Sequence, residues 1–241
     1  MDKSEIIRRI QAFAPVETSE KWDCSGWCVK TSKNEIKRVM LALTVTEDVI
    51  KQAENQNCDM IISHHPLFYV PLDWKNIDIY CAHTNLDKAD GGTTDTLIKA
   101  IYPRPLRERE ELLNEQCEFS NSGEGFLRYI DTNISLKDFI LKLKTISPNL
   151  RYVNNNKTQI LKKIAFCAGS GSEFIQEAYE NGADALVTGD LKFHTALESP
   201  IAIFDIGHFE SEILVLPVFE KLINGDAEVV YAIEKSPFQH G

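Results

Sequence analysis

One constant displacement lays the second half of this chain over the first. Applied without a gap, it puts Val39–Val45 on Ile164–Ser170, Asp59 on Asp184 and Ile62 on Val187. It also puts His64-His65 on Gly189-Asp190, Phe68 on Phe193, His83 on His208 and Asp87 on Glu212. Each half then runs through apolar strand, helix, Asp, apolar strand, polar pair and His-x-x-x-acid. Two amphipathic units can align by chance, but two His-x-x-x-acid signatures rarely fall in the same phase as well, so the pattern reads as an internal duplication. The expected fold class is therefore α/β: two similar α/β domains, with a site in the cleft between them.

Local signals place the elements. A first helix is expected over Glu5–Phe13, capped by Ser4, with Ile6, Ile7, Ile10 and Phe13 at helical spacing. A short strand is expected near Cys28, a buried strand over Val39–Val45, a helix over Glu47–Asn55 and a strand over Cys58–Ser63. Together these make a right-handed βαβ unit. Ile77–Ala82 is the next expected strand, and Thr93–Tyr102 a helix after Gly91-Gly92. Phe126–Asp131 and Ile160–Cys167 read as strands, and Ser135–Ile146, Glu173–Glu180 and Phe209–Ile223 as helices, the last kinked by Pro217. The polar stretch Pro103–Cys117 is the expected connection, dividing the chain into a domain 1–105 with His64, His65 and Asp87 and a domain 106–241 with His208 and Glu212.

Charge and composition narrow the partners. A net charge of −10 argues against a broad nucleic-acid surface. No apolar run approaches the roughly 20 residues that span a bilayer. The charged start Met1–Glu5 lacks the apolar core of a signal peptide, so a cytoplasmic protein with reduced thiols is expected. Cys24 and Cys28 are spaced like half a zinc site, but no second pair completes it.

The chemistry-bearing residues that such a fold could bring together are His64, His65, His83, Asp87, Asp190, His194, His208 and Glu212. Imidazoles with carboxylates suit zinc, iron, manganese, cobalt or nickel and are too rich in nitrogen for calcium. Five or more such ligands exceed what one catalytic ion takes from protein, which points to two. A carboxylate shared by two ions holds them about 3.5–4 Å apart, where they acidify a common water. His208 and Glu212 share a helix face if both lie in the first turns of the helix. The loop Ala168–Gly171 could offer N–H groups to an anion or be only a close turn, and Lys192 could hold a phosphate or lie solvated.

These residues resemble the GTP cyclohydrolase I type 2 homologue family, also called Nif-three-like. The resemblance covers nearly the whole chain. It rests on Ser63-His-His-Pro66, His83-Thr-Asn-Leu-Asp87, Gly169-Ser-Gly171, Thr188-Gly-Asp-Leu-Lys192 and Asp205-Ile-Gly-His-Phe-Glu-Ser-Glu212. It implies that His64, His65, Asp87, His208 and Glu212 bind two divalent metal ions per subunit, with Glu212 as the bridge. It also implies a toroidal homohexamer, a trimer of dimers. The expected function is metal-dependent hydrolysis of a small nucleotide- or pterin-like substrate, with His83 as a catalytic proton shuttle. The alternative is a non-enzymatic metal-binding ring scaffold or metal-handling protein. This chain departs from the family pattern at Thr44, where Asp is usual, and at Asp23-Cys24, where Asp-Asn is usual. The resemblance gives neither position a metal, so the departures are expected to bear on substrate contacts.

Overall fold

The computed structural model describes residues 1–66, 76–103, 120–121 and 125–239. The expected boundary at 105/106, nearly all of the connection Pro103–Cys117, and Phe68 lie outside the described residues. The chain forms two compact units. One is Met1–Gly92 with Val215–Pro237, and the other is Thr93–Leu214 with the residues from Phe238 on. No helix among the described residues is long and apolar enough to cross a membrane.

The first unit is built on β1 (Gly26–Val29), β2 (Arg38–Ala42), β3 (Met60–Ser63) and β4 (Asp78–Cys81), joined by a strand from the far end of the chain. The sheet order is β1-β4-β3-β2 and then β11 (Glu228–Tyr231). β2, β3, β4 and β11 run parallel, and β1 is an antiparallel edge. Both faces are covered, so β2 to β4 read as near-continuous apolar runs rather than alternating ones. On one face Met40, Ala42, Ile61 and Ile79 pack with Val49, Ile50 and Ala53 of α2 (Glu47–Asn55). α9 (Leu216–Ile223) packs on β2 and on α1 (Lys3–Phe13), which buries Ile6, Ile7 and Ile10. The cap of α1 is Asp2, whose side chain accepts from Ser4 N, and not Ser4 itself. A carboxylate two residues upstream of Ser4 accepts from a first-turn amide and also complements the helix dipole.

The second unit contains α4 (Thr93–Ile101), β5 (Ser120–Asn121), β6 (Arg128–Ser135), α5 (Leu136–Leu143), β7 (Arg151–Val153), β8 (Ile160–Phe166), α6 (Ile175–Glu180), β9 (Ala185–Thr188), α7 (Phe193–Glu198), β10 (Ala202–Asp205) and α8 (His208–Glu212). Its sheet runs β5-β6-β8-β9-β10-β7. Leu97, Ile98, Phe139 and Leu143 of α4 and α5 cover one face, and Ile175 and Ala178 of α6 cover the other. The helix expected over Phe209–Ile223 is broken. It begins at His208, narrows to a 3-10 turn at Ile213–Val215 and restarts as α9 with Pro217 in its first turn. Proline lacks the N–H that a helix interior needs but is at home where that N–H has no intrahelical partner.

The two sheets share their register. Val39 pairs with Met60 and Ile164 with Ala185, while Trp27 faces Tyr80 and Tyr152 faces Phe204. Asp59 Oδ2 accepts from Lys37 N (2.6 Å) and Arg38 N (3.1 Å), and Asp184 Oδ2 accepts from Lys162 N (2.6 Å) and Lys163 N (3.0 Å). Left-handed residues follow the helix in both units, Asn57 at φ 54° and Gly182 at φ 78°. One detail corrects the gapless alignment. Met60 pairs with Asp78, but Ala185 pairs with Ala202, so the second unit is one residue shorter between these strands. Past that point His83 caps α3 (Thr84–Lys88) where Gly207 caps α8, and the pairing of His83 with His208 is one residue out. Strand pairing fixes the register, and the intervening loop absorbs the difference.

Lys3 and Asp78 form a buried ion pair in the first unit, 3.0 Å apart with side-chain exposures of 3% and 0%. Asp78 also accepts from Thr31 N and Oγ1, and Lys3 Nζ donates to Thr31 O. Removing one member of such a pair strands a charge in the core. Asp78→Ala should therefore destabilise the protein by about 3–5 kcal/mol in urea unfolding, and Asp78→Asn by less. An unchanged midpoint would show that the pair contributes nothing.

Candidate metal centre

The donors of the first unit stand at the carboxyl ends of its parallel strands, where open α/β sheets place their ligands. His64 and His65 extend β3, their N–H groups donating to Ala42 O (3.3 Å) and Leu43 O (2.8 Å). His83 follows β4 and starts α3, which carries Asp87 on its first turn. The ring centroids of His64 and His65 lie 4.9 Å apart, and His83 lies 5.2 and 5.6 Å from them. Each of the three offers a ring nitrogen within 4.8 Å of the others. Asp87 Oδ1 is 3.5 Å from His64 Nε2.

The orientation of each ring is set through its Nδ1. His64 Nδ1 donates to Ala82 O (3.0 Å), and because a carbonyl only accepts, the neutral ring presents its lone pair at Nε2. His83 Nδ1 donates to Asp23 Oδ1 (2.9 Å). His65 Nδ1 shares a hydrogen bond with Thr44 Oγ1 (2.6 Å). Asp23 is fixed in turn: Thr84 N and Oγ1 and Ser25 Oγ donate to it. Burial raises its carboxyl, but these hydrogen bonds and the His83 ring win, holding it well below the usual carboxylate range. Thr44 is a position at which this chain departs from the family pattern, whereas Asp23 keeps the usual Asp and the departure beside it falls on Cys24. Thr44 and Asp23 each contact a histidine ring, His65 and His83 respectively.

The second unit supplies His208 and Glu212, one helical turn apart on α8, with His208 Nε2 2.9 Å from Glu212 Oε2. His208 Nδ1 donates to Asp190 Oδ2 (2.7 Å). Asp190 thus orients an imidazole, and it takes a left-handed backbone, φ 55°, to do so. Glu212 is 3% exposed. Gly169, at φ 67°, passes so close that a Cβ there would run into the Glu212 carboxylate. Gly169 N and Gly171 N donate to Ser211 Oγ and Thr188 Oγ1, so both amides pack the loop against its own unit rather than face an anion. His194 lies exposed on α7 against Phe193 and belongs to none of the donor groups among the described residues, and Lys192 is exposed at the α7 cap. An imidazole tied at Nδ1 with a carboxylate beside its Nε2 fits a transition-metal ion, since metal-ligating histidines are held in this way.

Burial disfavours a charged His208, but Glu212 and Asp190 outweigh it and raise its pKa to about 9. In metal-free protein the ring is therefore cationic at neutral pH. Its contribution to stability is full below the ordinary histidine value, about 6.5, and is lost as pH rises through about 9. Glu212→Gln removes the nearer anion, so the His208 titration followed by NMR should move to lower pH. An unmoved titration would mean that the ion pair does not form.

A protein named GTP cyclohydrolase 1 type 2 homolog from Clostridium perfringens is 32% identical over 266 residues, covering 99% of each chain. The structure of reduced HcgD from Methanocaldococcus jannaschii matches with a TM-score of 0.76 at 25% identity, over 96% of this chain and 97% of that one. The Staphylococcus aureus protein SA1388 shares the fold, with a TM-score of 0.81 at 22% identity over 100% of this chain and 99% of its own. The family model Duf34/NIF3 (NGG1p interacting factor 3) matches residues 1–237, and the chain belongs to that family.

Proposed function

We propose that this protein is a metal-dependent hydrolase of a small nucleotide- or pterin-like substrate, using two divalent ions in a cleft between the two units. His64, His65 and Asp87 would hold them from one unit and His208 and Glu212 from the other. The observation that carries this reading is the shared anchoring of four imidazoles through Nδ1, to Ala82, Thr44, Asp23 and Asp190. Two of these rings also turn Nε2 toward a carboxylate, His64 toward Asp87 (3.5 Å) and His208 toward Glu212 (2.9 Å). Zinc, iron, manganese, nickel or cobalt would suit the donor set. When bound, such ions polarise a carbonyl or phosphoryl oxygen and acidify water.

The protein's own groups have separate tasks in this reading. Glu212, nearly buried, would supply negative charge to offset the mutual repulsion of two bound cations. Asp23 keeps the His83 Nδ1 proton in place, so that His83 Nε2 can take up and return a proton at the substrate. The same reading expects a toroidal homohexamer, a trimer of dimers. It also takes the two units as copies of one α/β ancestor, which the shared strand register and the Asp59 and Asp184 hydrogen bonds support.

Glu212→Gln keeps the size of the side chain and removes its charge. The bound metal, measured by elemental analysis, should fall from two ions per chain toward one, with the fold and the assembly intact by sedimentation. Turnover found in a screen of nucleotides and phosphate esters should be lost with it. Two retained ions with normal turnover would rule out the bridging role. A protein that binds metal but turns over nothing in the screen would favour a scaffold or metal-handling role.

A further inference from the structure

Glu234 lies just past β11, in a stretch to which the sequence pattern assigns no role. Its Oε2 accepts from Leu43 N (2.6 Å) and its Oε1 from Thr44 N (2.9 Å), two consecutive amides just past the end of β2. Thr44 then sets its hydroxyl 2.6 Å from His65 Nδ1. The segment that delivers Glu234 is itself fixed. Ala232 N donates to Leu41 O (2.8 Å), Ile233 N donates to Gln52 Oε1 (2.8 Å), and Gln52 Nε2 donates to Ile233 O (3.0 Å). All of these residues belong to the first unit.

We propose that Glu234 is a positioning residue for His65, acting through Thr44. The inference rests on the reading of His65 as a metal ligand and adds what aims it. The chain at Leu43–Thr44 is leaving the strand. Leu43 O still accepts from His65 N (2.8 Å), but the N–H groups of Leu43 and Thr44 go to Glu234 rather than to a neighbouring strand. One carboxylate gripping two successive N–H groups takes the place of that pairing, and charge-assisted bonds of this kind are among the stronger ones. A held backbone leaves the threonine hydroxyl few directions, because a β-branched side chain has restricted χ1. The hydroxyl in turn fixes the plane of the ring. The competing role is plain satisfaction of two backbone donors. That role predicts a loss of stability and nothing specific at His65.

A double-mutant cycle of Glu234→Ala and Thr44→Val separates the two. The readouts are the His65 ring nitrogen signals by NMR in metal-free protein, the Zn²⁺ affinity by chelator competition, and urea unfolding. Each single variant should shift the His65 signals and weaken Zn²⁺ binding by about tenfold, the lower range for partners of ligating histidines. The double variant should bind Zn²⁺ no more weakly than Thr44→Val alone, although its stability falls further. Additive weakening in the double variant, or unchanged His65 signals in Glu234→Ala, would overturn the proposal. If Glu234→Ala does not fold, Glu234→Gln, which keeps one acceptor oxygen, enters the same cycle with a smaller expected shift. If the wild type itself binds no Zn²⁺, the metal reading fails, and the His65 signals alone decide whether Glu234 positions the ring.

Discussion

The register of the parallel strands is what the candidate site depends on. Asp59 ties the start of β2 to the start of β3, and Asp184 ties β8 to β9, each by accepting two successive backbone N–H groups. A strand's period is two residues, so a slip of one would turn every side chain to the opposite face. The clamps sit at the amino ends of the strands and the donors at the carboxyl ends. Fixing one end fixes the other, because short, buried and fully paired strands have no slack between them. His64 and His65 emerge where they do because Val39 is held opposite Met60.

A second level of constraint acts on the rings. Strand register places a histidine's Cα but leaves its imidazole free to rotate. Ala82, Thr44, Asp23 and Asp190 remove that freedom. These partners come from turns and strand ends, and none is a neighbour in sequence of the ring it holds. The turn at Asp23 is packed on α3 through Thr84, and Glu234 braces the turn at Thr44 from the far end of the chain.

Much of this was legible in the sequence. Apolar runs of strand length alternating with helical periodicity gave the α/β class, and Glu47–Asn55 begins and ends where its Thr46 cap and its polar end require. The displacement between the halves was visible because the clamping Asp and the apolar strands recur in phase. His64, His65, His83, Asp87, His208 and Glu212 stood out because each sits at a strand end or in the helix turn that follows. The broken helix after Glu212 was not legible. Pro217 permits a kink or a restart, and only packing chooses between them.

The sequence by itself determined the element types, the parallel βαβ arrangement and the candidate donors, because these follow from local periodicity and side-chain chemistry. Only the tertiary structure decided that β11 completes the first sheet and that Asp23 and Thr44 aim histidines. It also showed that Asp190 orients His208, that His194 stays exposed, and that the match between the halves slips by one residue before β10. Each of these turns on a hydrogen bond or strand pairing between residues far apart in the chain. Such pairings are set by the free energy of burying and satisfying backbone and side-chain groups together, which no local pattern encodes.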